Sequence, residues 1–96
     1  MTGSTLSSDR LDPRRKRLLY RCWHRGTREL DLIVGRFADA HLLRLSDGEL
    51  DQFERILEVA DPELYAALID DGPVPRGAEG TVFEQLKSFR VAGHGA

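Results

Sequence analysis

The segment from Arg25 to Asp31 holds the densest set of side chains suited to binding another molecule. Arg25 and Arg28 are cations, with Gly26 between them, and Glu29 and Asp31 add two carboxylates. Such side chains make multidentate, charge-assisted contacts, and glycine lets two backbones approach closely. The segment carries no nucleophile with an adjacent base and no metal-ligand spacing. We therefore expect a surface that is recognised by a partner rather than a catalytic centre.

The same residues are also typical of an ordinary corner between two helices. Gly26 would supply the turn, and Thr27 would cap the helix that follows. Glu29 would lie in the first turn of that helix, where a negative charge suits the helix dipole. Arg25 and Glu29 would then pair with each other. The residues alone leave both interpretations open.

Other candidates for chemistry are weaker. His24, His41 and His94 stand far apart, and none pairs with a second histidine or cysteine at ligand spacing. Cys22 lies on an apolar helical stripe, where a free cysteine is commonly a buried core residue. The glycines of the second half lack the spacing and the preceding strand of a phosphate-binding loop. We expect no catalytic residue, no metal and no bound cofactor.

Charge is unevenly distributed along the chain. Residues 1–45 carry ten Lys and Arg against five Asp and Glu, a net +5, whereas residues 46–96 carry four against eleven, a net −7. This polarity favours an oriented encounter with a partner. A small basic nucleic-acid-binding module is the alternative, because one helix and the corner after it are rich in cations: Arg14, Arg15, Lys16, Arg17, Arg21, Arg25 and Arg28. The acidic second half would repel a polyanion, so we expect no nucleic acid.

Length and composition indicate one small domain. The chain has 96 residues, of which 41% are hydrophobic and 31% charged, as in a folded soluble protein. No apolar run approaches the ~20 residues of a membrane span, so we expect no membrane insertion. The polar beginning, with Asp9 and Asp12, does not resemble a signal peptide, and the expected location is the cytoplasm. A single cysteine excludes an internal disulfide, and a monomer is the default expectation.

Two helices must position the Arg25–Asp31 segment. Residues 1–10 are predicted to be a disordered tail, and Asp12 with Pro13 starts a first helix that Gly26 ends. Its apolar stripe is Leu11, Leu18, Leu19 and Cys22, with Trp23 at the margin. The second helix has the clearest periodicity: Leu30, Ile33, Val34, Phe37, Ala38 and His41. Gly35 interrupts that helix, which predicts close approach of a neighbouring helix.

Three further helices are predicted in the second half. Ser46 and Glu49 form a capping-box pattern before the third helix, flanked by a Leu45–Leu50 staple. Its stripe is Leu50, Phe53, Ile56, Leu57 and Ala60. Asp61-Pro62 opens the fourth helix, which carries Leu64, Tyr65, Leu68 and Ile69 and stops at Gly72-Pro73. The fifth carries Val82, Phe83, Leu86 and Phe89, and begins either at Ala78 or at a second capping box, Thr81 with Glu84. We predict an all-α fold, a single small five-helix bundle over residues 11–91, with frayed residues 92–96.

Two stretches of the chain together form a recognisable pattern. The first reads RLLY at 17–20 and HRGTRELD at 24–31, which is an RGxxE motif followed by an apolar helix reaching Phe37. The second reads LS at 45–46 and EL at 49–50, with apolar positions continuing to Leu68. In both, the chain resembles the SdhE family, also called succinate dehydrogenase assembly factor 2 or flavinator, over about residues 14–90.

The resemblance implies a fold, a function and a site. Family members are small five-helix proteins that promote covalent attachment of FAD to the flavoprotein subunit of succinate dehydrogenase and, in some bacteria, of fumarate reductase. They act as assembly factors, because the bond forms within the flavoprotein itself. The motif maps onto Arg25, Gly26 and Glu29, which are implied to contact the flavoprotein, with Arg28 and Asp31 as further contributors. A scaffold that pairs through leftover apolar surface, such as Trp23 or Tyr65, is a third hypothesis.

Overall fold

The computed structural model describes residues 11–91, and this range is all-α, with no strand. Its helices are α1 (Pro13–Trp23), α2 (Arg28–His41), α3 (Asp47–Leu57), α4 (Asp61–Leu68) and α5 (Thr81–Val91). A short 3-10 turn, Leu42–Arg44, follows α2 directly. The predicted five-helix fold is confirmed. The predicted tails, residues 1–10 and 92–96, lie outside the described residues, and the proposed domain limits stay predictions.

Helix α1 begins where the sequence predicted but ends earlier. Pro13 is its first residue and Asp12 occupies the cap position, yet the Asp12 carboxylate accepts a bond from Arg15 instead of capping the helix. The helix stops at Trp23, three residues before Gly26. Trp23 is only 7% exposed, so it belongs to the core rather than to the margin of the apolar stripe.

The close approach predicted at Gly35 is confirmed. A Cβ built on Gly35 would lie 2.4 Å from Cε2 and 2.5 Å from Cδ2 of Trp23. The indole of α1 therefore packs directly on the backbone of α2, and its Nε1 donates a 3.3 Å hydrogen bond to Asp39 on α2. Glycine lowers helix propensity here, but it allows the two helices that flank the charged segment to pack closely.

We expect Gly35→Ala to lower the free energy of unfolding by about 1–2 kcal/mol, although alanine is the better helix former. The added methyl group would overlap the ring of Trp23, which is itself buried in the core. Gly48→Ala is the matched control, since a Cβ there meets nothing within 4 Å and should raise stability by up to about 1 kcal/mol. Urea unfolding followed by circular dichroism measures both. If Gly35→Ala stabilised the chain as much as Gly48→Ala, the Trp23 indole would be able to move aside at no cost, and the prediction would be wrong.

Helix α3 starts with the predicted capping box. Ser46 Oγ accepts a 3.2 Å bond from the Glu49 backbone N–H, and Glu49 Oε1 accepts a 2.8 Å bond from the Ser46 backbone N–H. The latter bond lowers the pKa of Glu49. Both staple residues, Leu45 and Leu50, are buried. The apolar stripe was predicted one turn too long, because α3 ends at Leu57 and the exposed Ala60 is the cap position of α4.

The start of α5 depends on a residue from another helix. The helix begins at Thr81, and the Val82 N–H donates a 3.0 Å bond to Gln52 Oε1 of α3. Gly80 has φ +141°, and a Cβ on it would lie 2.4 Å from Gln52 Oε1. Thr81 is thus a helical residue rather than the cap of the predicted capping box. The absence of a side chain at Gly80 leaves the space that the Gln52 amide occupies.

All five helices contribute to one core. Phe37 and Phe53 meet edge to face at 5.6 Å, and Phe37 meets Phe89 in the same way. Within residues 11–91, every buried side-chain nitrogen and oxygen has a hydrogen-bond partner. The bundle therefore supports the corner between α1 and α2 with a packed core whose buried polar side-chain atoms are hydrogen-bonded.

Candidate partner-binding site

The corner between α1 and α2 consists of residues 24–27, with Gly26 at its tip. Gly26 has φ +98°, a left-handed conformation that side-chain-bearing residues rarely adopt. It is exposed, and a Cβ built on it would meet nothing within 4 Å. The space in front of this backbone is therefore open, as a surface for close backbone approach requires.

Arg25 points from the corner into the bundle. Its side chain is 9% exposed and forms an ion pair with Asp61, the first residue of α4. Its guanidinium also donates to the Leu57 carbonyl at 2.9 Å and to the Val59 carbonyl at 2.8 Å. One side chain thus joins the corner to the link between α3 and α4. The alternative pairing of Arg25 with Glu29 does not occur.

Asp31 and Thr27 complete this attachment. Asp31 Oδ1 accepts a 2.9 Å bond from the Arg25 backbone N–H and so holds the corner on the first turn of α2. Thr27 occupies the cap position of α2 but makes no capping bond. Its hydroxyl donates instead to Asp61 Oδ2 at 3.2 Å. Asp61 is therefore shared by two corner residues.

The five predicted site residues fall into two sets. Gly26, Arg28 and Glu29 are exposed, and neither charged side chain has an ion-pair partner among residues 11–91. Arg25 and Asp31 make the bonds that fix the corner backbone. We call the three exposed residues the open corner. The structure brings all five together, with two of them in a supporting position that the motif could not indicate.

Sequence reasoning missed an aromatic pair beside the open corner. Tyr20 is 65% exposed, and its ring stacks on His24 with a centroid distance of 4.0 Å and an interplanar angle of 19°. A cleft of about 270 Å³ adjoins the pair and is lined by Tyr20, Arg21, His24, Arg25 and Asp61. The exposure of Tyr20 could have been predicted from the sequence, because Tyr20 lies off the apolar α1 stripe that Leu18, Leu19 and Cys22 define. The scaffold hypothesis had named Trp23, which is buried, and Tyr65, which packs against the core.

Several arginines of α1 bind other residues of the same chain. Arg14 binds Asp51 and Glu54 on α3, and its hydrogen bond lowers the pKa of Glu54. Arg15 donates to the carbonyls of Leu42 and Leu45. These arginines hold α1 against its neighbours, so they are not arranged to follow a phosphate backbone. Arg21 similarly reaches Glu58 at 2.7 Å.

The other candidates for chemistry have structural surroundings. Cys22 is fully buried, and this burial raises the pKa of its thiol well above the usual range. A buried neutral thiol is a poor nucleophile. Within the described range, no group of three or more His, Cys, Asp or Glu side chains is placed to hold a metal ion. None of the described helices is long and apolar enough to span a bilayer.

Known proteins resemble this chain over most of its length. The family described as flavinator of succinate dehydrogenase matches residues 16–90. The chain belongs to this flavinator family. The FAD assembly factor SdhE of Acetobacter pasteurianus is 40% identical over 74 residues, which are 77% of this chain and 68% of that protein. No solved structure matches the chain significantly.

More distant members are named succinate dehydrogenase assembly factor 2, mitochondrial. The Danio rerio protein is 33% identical over 85 residues, covering 86% of this chain and 54% of its own length. The Caenorhabditis briggsae protein is 29% identical over 92 residues, covering 93% of this chain and 75% of its own length. The flavinator match includes the whole corner between α1 and α2, so the RGxxE resemblance seen in the sequence is confirmed at the level of the family.

Proposed function

We propose that this chain is an assembly factor that binds the flavoprotein subunit of succinate dehydrogenase and promotes covalent attachment of FAD to it. Membership of the flavinator family supports a role in flavin attachment to succinate dehydrogenase. The observation that carries the mechanism is the open corner, which projects Gly26, Arg28 and Glu29 from a backbone held by Arg25 and Asp31. A cytoplasmic location and a monomeric state stay predictions of the sequence.

The chain acts by docking rather than by chemistry. Covalent flavinylation needs a nucleophilic histidine, a bound flavin and stabilisation of the developing negative charge, and all of these would belong to the flavoprotein. A helper accelerates such a step when it binds one conformation of its client more tightly than the others. The open corner suits this task because a rigid surface loses little conformational freedom on binding.

The two open charges give the encounter its orientation. Arg28 and Glu29 are adjacent and of opposite sign, so a partner with the complementary pair fits them in one direction only. Gly26 beside them lets the partner approach the backbone without meeting a side chain. Arg25 acts as a positioning residue in this scheme, and its charge is neutralised by Asp61.

Glu29→Ala is the direct test of the open corner. We expect it to reduce covalent flavin on the flavoprotein subunit several-fold, measured by in-gel flavin fluorescence in cells that lack the native chain. Melting should change little, because Glu29 is exposed and makes no ion pair within the described residues. Glu84→Ala is the matched control, since Glu84 is also exposed and lies in the first turn of a helix, α5. Full flavinylation with Glu29→Ala, or an equal loss with Glu84→Ala, would contradict the proposal.

A further inference from the structure

The Tyr20–His24 pair is a preformed aromatic surface next to the open corner. Tyr20 is the most exposed large hydrophobic side chain of the described range. Stacking on His24, one helical turn later, restricts its ring before any partner arrives. Tyrosine contributes disproportionately to binding at protein interfaces, and a ring that is already held in place loses little freedom on binding.

This pair is continuous with the site already described. The cleft beside it is also lined by Arg25 and Asp61, the ion pair that supports the corner of Gly26. A partner segment that covers the open corner and continues along α1 would next meet the face of Tyr20. The aromatic pair and the open corner therefore form one surface rather than two.

Two exposed cations close to the aromatic pair in the sequence have no ion-pair partner among the described residues. Arg17 and Tyr20, spaced i and i+3, lie on one face of α1, and His24, the residue directly after that helix, stacks on Tyr20; all three side chains are exposed. Arg17 has no ion-pair partner in the described part of the chain, and Arg28 at the start of α2 has none either. The neighbouring arginines, Arg14 and Arg21, are neutralised by carboxylates of α3 and of the residue after it. Glu29 of the open corner offsets one of these two cations, so Arg17, Arg28 and Glu29 together leave one net positive charge facing a partner.

We propose that the Tyr20–His24 stack anchors this chain on an acidic segment of the flavoprotein subunit, with Arg17 and Arg28 facing carboxylates of that segment. This inference rests on the proposed function for the identity of the partner. The Tyr20 ring supplies apolar contact area at the centre, and the cations set orientation and association rate around it.

Binding of the purified, unflavinylated flavoprotein subunit to this chain tests the anchor. We expect Tyr20→Ala to raise Kd about tenfold or more, and Tyr20→Phe, which keeps the ring, to stay within about threefold of the unmodified chain. Leu43→Ala is the matched control, because Leu43 is 44% exposed and lies beyond the other end of α2. It should leave Kd unchanged. Unaltered binding by Tyr20→Ala, or an equal loss with Leu43→Ala, overturns the inference.

A double-substitution cycle tests the role of the stack itself. If His24 works by holding the Tyr20 ring, His24→Ala weakens binding in the unmodified chain but adds nothing once Tyr20→Ala is present. Fully additive losses would show that the two rings bind independently and that the stack is not the anchor. Melting temperatures of all variants confirm that α1 is intact, since both side chains are exposed.

Salt dependence tests the acidic character of the partner segment. Arg17→Gln should weaken binding about threefold at about 0.05 M salt and have little effect at about 0.5 M, where exposed charges are screened. Arg55→Gln is the control, as Arg55 is an exposed cation on α3. An Arg17 effect that is absent at low salt, or no larger than that of Arg55, overturns this part of the inference.

The two proposals fail in different ways. If the unmodified chain does not bind the flavoprotein subunit, the proposed function fails and the anchor fails with it. If the unmodified chain binds, and Glu29→Ala weakens binding while Tyr20→Ala does not, the open corner stands and only the anchor is wrong.

Discussion

Replacing Gly26 with arginine is expected to reduce covalent flavinylation of the partner about tenfold or more, whereas Gly26→Ala should keep most of the activity. Both variants place a side chain on a backbone with φ +98°, so both lose about 1–3 kcal/mol of stability through the same strain. They differ in what extends beyond Cβ. Because nothing of the chain lies within 4 Å of that position, the arginine would project into the space the partner must occupy.

The alanine variant separates contact from strain. In-gel flavin fluorescence reports flavinylation, and thermal melting reports the shared cost of the backbone conformation. Equal loss of flavinylation in both variants would show that the Gly26 conformation matters rather than its open face. Full activity with Gly26→Arg would show that the corner is not the working surface, and the proposed mechanism would then be wrong.

Removing either member of the Arg25–Asp61 pair is expected to lower the free energy of unfolding by about 3 kcal/mol. Arg25→Ala leaves the Leu57 and Val59 carbonyls without their donor, and Asp61→Ala leaves a largely buried guanidinium without its carboxylate. In a domain of this size such a loss corresponds to a fall in Tm of roughly 10–20 °C. Thermal and urea unfolding measure it directly.

An exposed ion pair provides the comparison. Arg21 and Glu58 are 41% and 72% exposed in their side chains, so Arg21→Ala should lower stability by less than about 1 kcal/mol. Arg25→Lys keeps the charge but cannot donate to Asp61 and two carbonyls together in the same geometry, and it should fall between the native chain and Arg25→Ala. If Arg25→Ala is no more destabilising than Arg21→Ala, Arg25 is a surface contact rather than the support of the corner.

The same pair decides how the motif works. When Arg25 acts by positioning, Asp61→Ala should impair partner binding as strongly as Arg25→Ala, even though Asp61 belongs to α4 and not to the motif. A direct contact by Arg25 would make only the arginine essential. The comparison must be made well below the melting temperature of both variants, so that loss of fold does not imitate loss of binding.

Several features that depend on neighbours in the chain were predicted correctly, although the expected caps at Asp12 and Thr27 do not form. The α2 stripe follows from a period of 3.6 residues, and the Ser46–Glu49 capping box from a spacing of three. The glycine within α2 was correctly assigned to close helix packing, because little else explains Gly35 in so regular a helix. The RGxxE pattern likewise located the corner. In each case the residues that form the predictive pattern lie within about one to three helical turns of one another.

Features that depend on distant residues were wrong or not foreseen. The sequence could not show that Arg25 pairs with Asp61, 36 positions away, or that Gln52 of α3 caps α5. It extended the α3 stripe to Ala60, because periodicity continues past the point where the chain turns. It also did not single out Tyr20 as a binding residue, although Tyr20 lies off the apolar stripe of α1, because only the structure shows its ring exposed and stacked on His24.

The sequence by itself therefore determined the helices, the position of the corner and the family, because periodicity, capping and motif spacing are local properties of the chain. Only the tertiary structure decided which charged side chains of the motif bond to other residues of the chain and which stay exposed for a partner. That division depends on which side chains the packing brings together, and packing depends on all five helices at once.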